Sequence, residues 1–303
     1  MIVEILSGAV RGGTSILYAG LGETVSERAG VINLGTEGSM LVGALGGYAV
    51  TVHSGNPWVG ALAGAAAGAL LAALHAVLVI SRGANQLASG LTLYFFALGI
   101  TALFGVDYVS TPINGFHRID VPGLSDIPVL GPILFRNDAL TYLALLAAPV
   151  VWWVLFRTRA GLLVRTAGER AEALTVHGYS PSTIRYLAVI AGGALSGLGG
   201  AHLSLAYAGS WFEGMVAGRG FIAVALVIFA MWSPLRLAGG ALLFGAALSL
   251  ASVLQSDGVA VNQFALDAVP FVLTLAVLAV LGRRTLLASP GELQKVFESN
   301  RSD

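Results

Sequence analysis

The sequence predicts an all-α integral membrane protein with about nine transmembrane helices in a single domain, residues 1–303. Of its residues, 56% are hydrophobic and only 11% are charged, whereas soluble domains average roughly 45–50% and about 25%. The apolar residues also form runs close to the roughly 20 residues that a helix needs to cross a bilayer. The 40 glycines recur inside these runs, as at Gly60, Gly64 and Gly68, and this spacing lets helix backbones approach closely in lipid.

The predicted spans are separated by short segments that contain polar residues, Gly or Pro. They cover residues 5–22, 36–52, 58–80, 87–106, 139–156, 184–207, 218–232, 237–254 and 264–281. The first run has neither a basic leader nor a small-residue cleavage site, so we expect a membrane helix there rather than a signal peptide.

The distribution of Arg and Lys predicts the orientation. If residues 157–183 form a cytoplasmic loop, most of the 16 basic residues fall on that side, as is typical of cytoplasmic segments. These residues are Arg28, Arg82, Arg157, Arg159, Arg165, Arg170, Arg185, Arg236, Arg283, Arg284, Lys295 and Arg301. With nine spans the N-terminus is then outside, and the C-terminal tail, residues 283–303, is inside.

The longest outer segment, residues 107–138, is rich in Pro, Gly and Asp. Its prolines exclude a continuous helix. We expect an ordered cap at which something docks or enters, and a passive connector is the alternative.

A weak internal repeat divides the chain into two halves. A shift of 177 residues superposes Asn85-Gln86-Leu87 on Asn262-Gln263-Phe264, and a shift of 180 residues superposes Gly12-Gly13 on Gly192-Gly193. Because five spans separate equivalent elements, the two halves must be inverted in the membrane, as in many transporters. Chance similarity between Gly/Ala-rich segments is the alternative.

The repeat predicts the internal organisation of the domain. The halves cover residues 1–106 and 184–282. Between them, residues 107–183 contain the outer loop, a linking helix and the inner loop.

Each half contains an apolar segment that opens with a charge flanked by glycines. The residues are Asn33, Gly35, Glu37 and Gly38 in the first half, and Gly218, Arg219, Gly220 and Phe221 in the second. The apolar residues that follow each motif are too few to cross the hydrocarbon core. We therefore expect both helices to begin inside the membrane, after half-crossing stretches at 29–34 and 207–216. Paired breaks of this kind indicate a translocation site, which makes these eight residues the candidate substrate pathway.

The two charges in these motifs are expensive in lipid unless they are paired or hydrated. We expect an ion pair between Glu37 and Arg219, with Glu213 as the alternative partner of Arg219. The pair would fix the packing of the two halves or contact the substrate, and the first role is favoured. Capping of a helix N-terminus is the alternative role for Glu37.

The inner loop, residues 157–183, contains a short predicted helix over Glu169–Val176. Gly178 is the expected stop signal, and Pro181 follows it.

Three runs in this sequence resemble a known family. They are Glu23–Gly38, Gly168–Ala173 followed by Gly178, and Gly218–Ala223 with Trp232-Ser-Pro234. They are similar to the permeases of the ribose and branched-chain amino acid ABC importers, and within that group to the simple-sugar and nucleoside branch. The resemblance covers nearly the whole chain.

The resemblance implies a permease subunit in a bacterial plasma membrane. It also implies a separate ABC ATPase, a second permease subunit that is a different chain rather than a copy, and an extracellular substrate-binding protein. By the same resemblance, part of the inner loop is similar to the coupling helix that contacts the ATPase. These residues are Gly168, Glu169, Arg170, Glu172, Ala173, His177 and Gly178.

The composition excludes several other kinds of chemistry. The chain has no Cys, and Lys295 is its sole lysine, so it contains neither a thiolate site nor a phosphate-binding P-loop. Its five histidines do not have the spacing of metal ligands, and its zero net charge argues against a nucleic-acid partner. We therefore expect no enzymatic activity, metal or cofactor in this chain, with ATP bound by a partner.

An ion-coupled secondary transporter is the alternative function, because inverted repeats with broken helices would suit it equally well. Such carriers usually place carboxylates along the pathway, and Glu37 is the clearest deep carboxylate here. The small, mostly uncharged residues favour a neutral solute such as a nucleoside or a sugar, and branched-chain amino acids remain an alternative.

Overall fold

The computed structural model describes residues 2–109 and 111–256, and after them residues 268–269, 272, 274–276, 279 and 289–294. The described chain is a bundle of helices. They are α1 (Ile2–Arg28), α2 (Thr36–Ser54), α3 (Pro57–Ala76), α4 (Gln86–Gly105), α5 (Leu130–Leu134), α6 (Ala139–Arg157), α7 (Arg159–Glu169), α8 (Ala171–Val176), α9 (Pro181–His202), α10 (Arg219–Phe229) and α11 (Pro234–Ser256). Two π-helical turns, Val77–Ser81 and Leu203–Tyr207, continue α3 and α9, and the 3₁₀ turn Val106–Tyr108 continues α4.

Among the described residues, four helices are long and apolar enough to cross a membrane. They are Pro57–Ser81, Gln86–Tyr108, Ala139–Arg157 and Pro181–Tyr207, and the shorter apolar helices are Arg219–Phe229 and Pro234–Leu250. This confirms the predicted helical membrane protein. The ninth predicted span, 264–281, falls mostly outside the described residues, so nine spans and their orientation stay predictions.

Polar side chains cap the N-termini of several of these helices. The Asn56 side chain accepts a hydrogen bond from the Trp58 N–H at 3.0 Å, and that of Asn85 accepts from Leu87 and Ala88, both at 3.0 Å. Asp138 accepts from Thr141 in the same way at 2.9 Å. These caps satisfy N–H groups that have no partner within the helix, and they fix where α3, α4 and α6 begin.

Glycines let the central helices pack with their backbones in contact. A Cβ atom placed on Gly68 of α3 would lie 2.3 Å from the carbonyl oxygen of Gly193 in α9. One on Gly22 of α1 would lie 2.2 Å from the oxygen of Gly192. The α1 and α11 helices meet in the same way, because a Cβ atom on Gly13 would lie 2.4 Å from the oxygen of Ala241. The prediction that the glycines serve helix packing is confirmed.

The segment between α4 and α6 is ordered without a long helix, as the prolines predict. Strands β1 (Ile119–Asp120) and β2 (Arg136–Asn137) pair antiparallel, and α5 lies between them. The N–H of Phe116 donates to the carbonyl oxygen of Leu205 at 2.8 Å. This contact ties the segment to the end of α9, and we call this side of the bundle the loop end.

The segment between α6 and α9 differs from the prediction. A helix not predicted from the sequence, α7, occupies Arg159–Glu169, and the backbone then turns at Arg170, with φ −151° and ψ 87°. The predicted short helix is present as α8 over Ala171–Val176, and it begins two residues later than the predicted Glu169–Val176. Close packing against α1 explains the turn, because a Cβ atom on Gly168 would lie 2.3 Å from the carbonyl oxygen of Arg28. The predicted stop at Gly178 is confirmed by its φ of +79°.

We call residues 158–180 the arm, and the side of the bundle that carries them the arm end. The arm is followed by α9, which Ser180 caps through the Thr183 N–H at 3.4 Å. Pro181 occupies the first turn of α9, where its missing N–H costs nothing. As a result α9 begins three residues before the predicted span.

We expect Gly68→Ala to lower the free energy of unfolding by about 1–3 kcal/mol, because the methyl group must displace the Gly193 backbone. Thermal unfolding of the purified protein in detergent measures this. Gly99→Ala in α4 is the matched control, because a Cβ atom there has no neighbour within 4 Å. The control should match the wild type or be more stable by about 0.5–1 kcal/mol. Equal losses in both variants would contradict the packing account.

Candidate functional site

The first break, residues 29–35, joins α1 to α2 without helical structure and is almost wholly buried. Its backbone polar groups are bonded to side chains from three other helices. The Ile32 N–H donates to Oε1 of Gln86 at 2.8 Å, and the Ile32 carbonyl oxygen lies 3.0 Å from Nε2 of His75. Arg185 Nε donates to the carbonyl oxygen of Ala29 at 3.2 Å. Non-helical backbone can lie at membrane depth only when it is satisfied in this way.

Glu23, near the end of α1, fixes the rest of the first break. Its carboxylate accepts the Asn33 N–H at 2.7 Å and the Thr36 hydroxyl at 2.9 Å. Oδ1 of Asn33 in turn accepts the N–H of Gly35 at 2.9 Å. Asn33 is therefore occupied in shaping the turn that starts α2.

The second break, residues 208–218, joins the π turn after α9 to α10. Its backbone has positive φ at Gly209, Gly214 and Gly218, and also at Ala217, where φ is 51°. The conformation of Ala217 costs on the order of 1–3 kcal/mol and persists only where the surroundings impose it.

Glu37 of α2 imposes this geometry by capping α10. Its carboxylate accepts the N–H of Gly218 at 2.7 Å and that of Gly220 at 2.6 Å. A Cβ atom on Gly220 would lie 2.6 Å from the Glu37 Cα atom, so only glycine fits there. A carboxylate at a helix N-terminus satisfies unpaired N–H groups and is favoured by the helix dipole.

The predicted ion pair between Glu37 and Arg219 is wrong. Arg219 turns back, and its Nη1 donates to the carbonyl oxygens of Met215 and Val216 at 3.1 and 3.0 Å. Its Cζ atom lies 5.9 Å from the ring centroid of Tyr207. Within the described part of the chain, neither Glu37 nor the alternative Glu213 lies within 4.0 Å of its nitrogens. The carboxylate instead bonds the backbone on both sides of Arg219.

The other end of α10 is also held by the first half of the chain. Glu27 of α1 accepts a hydrogen bond from the indole Nε1 of Trp232, and Arg28 donates to the Trp232 carbonyl oxygen at 3.3 Å. Met231 and Trp232 both have positive φ, at 50° and 53°. The sequence interpretation missed Glu23 and Glu27, whose spacing of four residues near the end of α1 was the available signal.

The two predicted short helices differ in length. With 11 residues, α10 is about 16 Å long and cannot cross the membrane alone, as predicted. The α2 helix has 19 residues and is about 28 Å long, which is longer than predicted for the first half, but it is not among the described helices that are both long and apolar enough to cross a membrane. Its added last turn is stabilised by His53 and Ser54, which bond to the carbonyl oxygens of Ala49 and Val50.

The remaining predicted pathway residues lie beside this contact. Gly38 packs on α4, where a Cβ atom would lie 3.1 Å from the Tyr94 Cα atom. The Phe221 ring meets the Tyr94 ring edge to face, with centroids 5.1 Å apart. The structure thus brings α2, α4 and the start of α10 together around Glu37.

A cavity of about 650 Å³ lies at the loop end. Its lining residues are Val3, Glu4, Ser7, Gly8, Arg11, Arg118, Pro132, Tyr207, Ser249 and Val253. Tyr207 lies at once in the wall of this cavity and beneath the guanidinium of Arg219. The cavity therefore borders the π turn that precedes the second break, and none of residues 208–220 is among its lining residues.

The predicted coupling residues form a second group at the arm end. Gly168 is buried against α1, and Ala173 is half-buried. The exposed members are Glu169, Arg170, Glu172, His177 and Gly178. The side chain of Val176, at 85% exposure, extends this surface.

No metal site is evident within the residues that the structure describes, where no three His, Asp or Glu side chains come together to hold an ion. His75 is fully buried. A histidine suits this position because its ring nitrogen bonds the Ile32 carbonyl oxygen of the first break.

This arrangement of buried, broken helices defines a multi-helix membrane protein of the transporter type, and comparison with known proteins identifies its family. The family model described as branched-chain amino acid transport system, permease component, matches residues 5–281. The chain belongs to this family of ABC permeases and is a multi-pass protein of the plasma membrane, as its resemblance implied.

Its curated relatives are permeases with named solutes. A putative glucose ABC transporter permease protein of Haloferax volcanii is 49% identical over 80% of this chain and 74% of its own length. A guanosine ABC transporter permease protein of Bacillus subtilis is 36% identical over 93% of this chain and 94% of its own. A nucleoside ABC transporter permease protein of Lactococcus lactis subsp. cremoris is 36% identical over 88% of each chain. No solved structure matches the chain.

We expect Glu37→Gln to destabilise the start of α10, because a neutral amide offers one acceptor oxygen in place of two. The loss should be about 1.5–3 kcal/mol, the range for a hydrogen bond to a charged group. Thermal unfolding measures it, and Glu213→Gln, which alters an exposed carboxylate, is the control.

The double charge exchange Glu37→Arg with Arg219→Glu should recover neither the stability nor the transport lost in the single variants. The reason is that Glu37 bonds the backbone and not the Arg219 side chain. Recovery in the double variant would restore the ion-pair interpretation.

Proposed function

We propose that the chain is the transmembrane permease subunit of an ABC importer for a neutral polar solute, a nucleoside or a simple sugar. It works with a separate ABC ATPase, a second and different permease subunit, and an extracellular substrate-binding protein. The observation that carries this proposal is the capping of α10 by Glu37, because it fixes the start of a helix that is too short to cross the membrane alone. Family membership supports the same conclusion.

The two halves, residues 1–106 and 184–282, are inverted repeats in this proposal. In each half a long helix is followed by a break, which is almost wholly buried in the first half and mostly exposed in the second. The helix after the break is followed in turn by one that begins at Pro57, after the Asn56 cap, or at Pro234. The α9 helix packs against α3 as α1 packs against α11, in both pairs through glycines. The proposed orientation has the loop end outside and the arm end, with the tail, inside.

The arm is the contact for the ATPase in this proposal. Its exposed residues present charge and shape to a partner, and Val176 and Tyr179 add exposed apolar surface beside them. An exposed tyrosine among charged residues suits a protein interface, where Trp, Tyr and Arg supply most of the binding energy. At Gly168, near the middle of the arm, the arm backbone packs directly against the end of α1.

The solute is inferred from the relatives and from the pathway. The three relatives described above are named for glucose, guanosine and nucleosides. The pathway residues include small and uncharged groups, and the Glu37 carboxylate is already bonded to backbone. A neutral, hydroxyl-rich solute suits these groups better than a charged amino acid does.

An ion-coupled secondary transporter is the second candidate, and buried carboxylates favour it. Glu23, Glu27 and Glu37 are each no more than 2% exposed, and buried carboxylates are typical of proton pathways. Each of them, however, holds the end of a helix through at least one hydrogen bond. This structural use favours the ABC permease.

Uptake into proteoliposomes separates the two candidates. We expect the permease, reconstituted with its ATPase and second permease subunit and supplied with the binding protein, to import radiolabelled guanosine, uridine or glucose only with ATP. Uptake by the chain alone, driven by a proton or sodium gradient without ATP, would establish the secondary transporter instead.

We expect Val176→Asp to reduce co-purification of the ATPase with the permease, because a charge replaces exposed apolar surface on the arm. Affinity capture of the tagged permease, followed by measurement of bound ATPase, tests this. Val109→Asp at the loop end is the matched control, since Val109 is 49% exposed. Unchanged capture with Val176→Asp, or an equal loss with the control, would place the ATPase contact elsewhere.

A further inference from the structure

Arg185, the fifth residue of α9, joins three separate segments at the arm end. Its Nε donates to the carbonyl oxygen of Ala29 in the first break at 3.2 Å, and its Nη2 donates to that of Ala167 in the arm at 2.9 Å. The same Nη2 lies 3.2 Å from Oε2 of Glu292. One guanidinium thus bonds the first break, the arm and the short C-terminal segment, residues 289–294.

The same three segments also touch through glycine backbones. A Cβ atom on Gly30, whose φ is +88°, would lie 3.3 Å from the Gly168 Cα atom and 3.1 Å from the Glu292 Cβ atom. A Cβ atom on Gly291 would lie 2.9 Å from the carbonyl oxygen of Glu169. With no side chains between the backbones, a displacement of one segment must displace the others, because close-packed interiors transmit strain.

The C-terminal segment is fastened to the arm as well as to Arg185. The N–H of Gly291 donates to Oε2 of Glu169 at 3.2 Å, and the side chain of Leu293 is fully buried. The side chains of Arg185 and Glu292 are each only 22% exposed. This partial burial strengthens their charge-assisted hydrogen bond relative to one in water.

We propose that Arg185 is the positioning residue that carries movement of the arm to the first break, and that Glu292 holds its guanidinium in place. The inference rests on the proposed function, because it needs an ATPase that moves the arm. Arginine suits this role for a geometric reason. Its planar fork presents several fixed donors to the two carbonyl oxygens and the carboxylate, whereas lysine offers a compact charge on a flexible stem.

This link would also explain why so many side chains form hydrogen bonds to the backbone of the first break. Ala29, where Arg185 bonds, is followed within the same buried turn by Ile32 and Asn33, which His75 and Glu23 hold. A shift at Ala29 therefore reaches the start of α2, and Glu37 lies in the first turn of that helix. The path from the arm to the cap of α10 passes through contacts of named residues at every step.

Hydrogen–deuterium exchange of the assembled complex in lipid nanodiscs tests the inference. The exchange of the permease is compared without nucleotide and with ATP plus vanadate. In the wild type we expect nucleotide to change the exchange of both the arm, 158–180, and the first break, 29–35. In Arg185→Lys the change in the arm should remain and the change in the first break should be lost.

Arg82→Lys is the matched control, an exposed arginine whose replacement should leave both changes intact. Glu292→Gln is the second variant, and it removes the charge while leaving both carbonyl bonds of Arg185 possible. We expect a smaller change in its first break than in the wild type. The Glu292→Gln variant still tests the inference if the Arg185→Lys permease fails to assemble with its partners.

The measured ratio of solute imported to ATP hydrolysed should fall in Arg185→Lys even where ATP hydrolysis itself persists. The inference is overturned if nucleotide changes the first break as fully in Arg185→Lys and Glu292→Gln as in the wild type. It is also overturned if the wild-type arm responds and the wild-type first break does not. Should the wild-type arm not respond to nucleotide while the ATPase is bound, the proposed function itself fails, and the inference falls with it.

Discussion

The structure depends on how α10, a helix too short to cross the membrane alone, satisfies its first N–H groups. In lipid each unsatisfied group costs several kcal/mol, and α10 follows a non-helical break instead of continuing another helix. Glu37 meets this need with its carboxylate, which bonds Gly218 and Gly220 at 2.7 and 2.6 Å. Since Glu37 itself belongs to the first turn of α2, the starts of the two helices are fixed to each other.

Two other acidic side chains, both near the end of α1, also bond the ends of helices. Glu23 holds the start of α2, and Glu27 with Arg28 holds the end of α10 at Trp232. The short helix is therefore fastened at both ends by acidic side chains of the first half. Because the glycine contacts between the central helices leave little freedom for sliding, a transport movement would have to act on these helix ends. This is the physical basis for placing the pathway at the breaks.

Sequence reasoning predicted the features that depend on local chemistry. Four of the predicted membrane spans, the glycine contacts, the break before α10 and the stop at Gly178 follow from residue type and spacing. It failed where a distant contact decides the conformation. The turn at Arg170 arises from the approach of Gly168 to α1, and the direction of Arg219 depends on the carbonyl oxygens of Met215 and Val216. Two opposite charges at matching positions suggested a pair, but the nearby backbone N–H groups bind the carboxylate instead.

The most direct test is an experimental structure of the assembled complex in lipid nanodiscs without nucleotide, at a resolution that shows side chains. The account predicts that the Glu37 carboxylate lies within hydrogen-bonding distance of the backbone nitrogens of both Gly218 and Gly220. A structure in which that carboxylate bonds the Arg219 guanidinium, while the start of α10 is satisfied by other groups or by water, would contradict it.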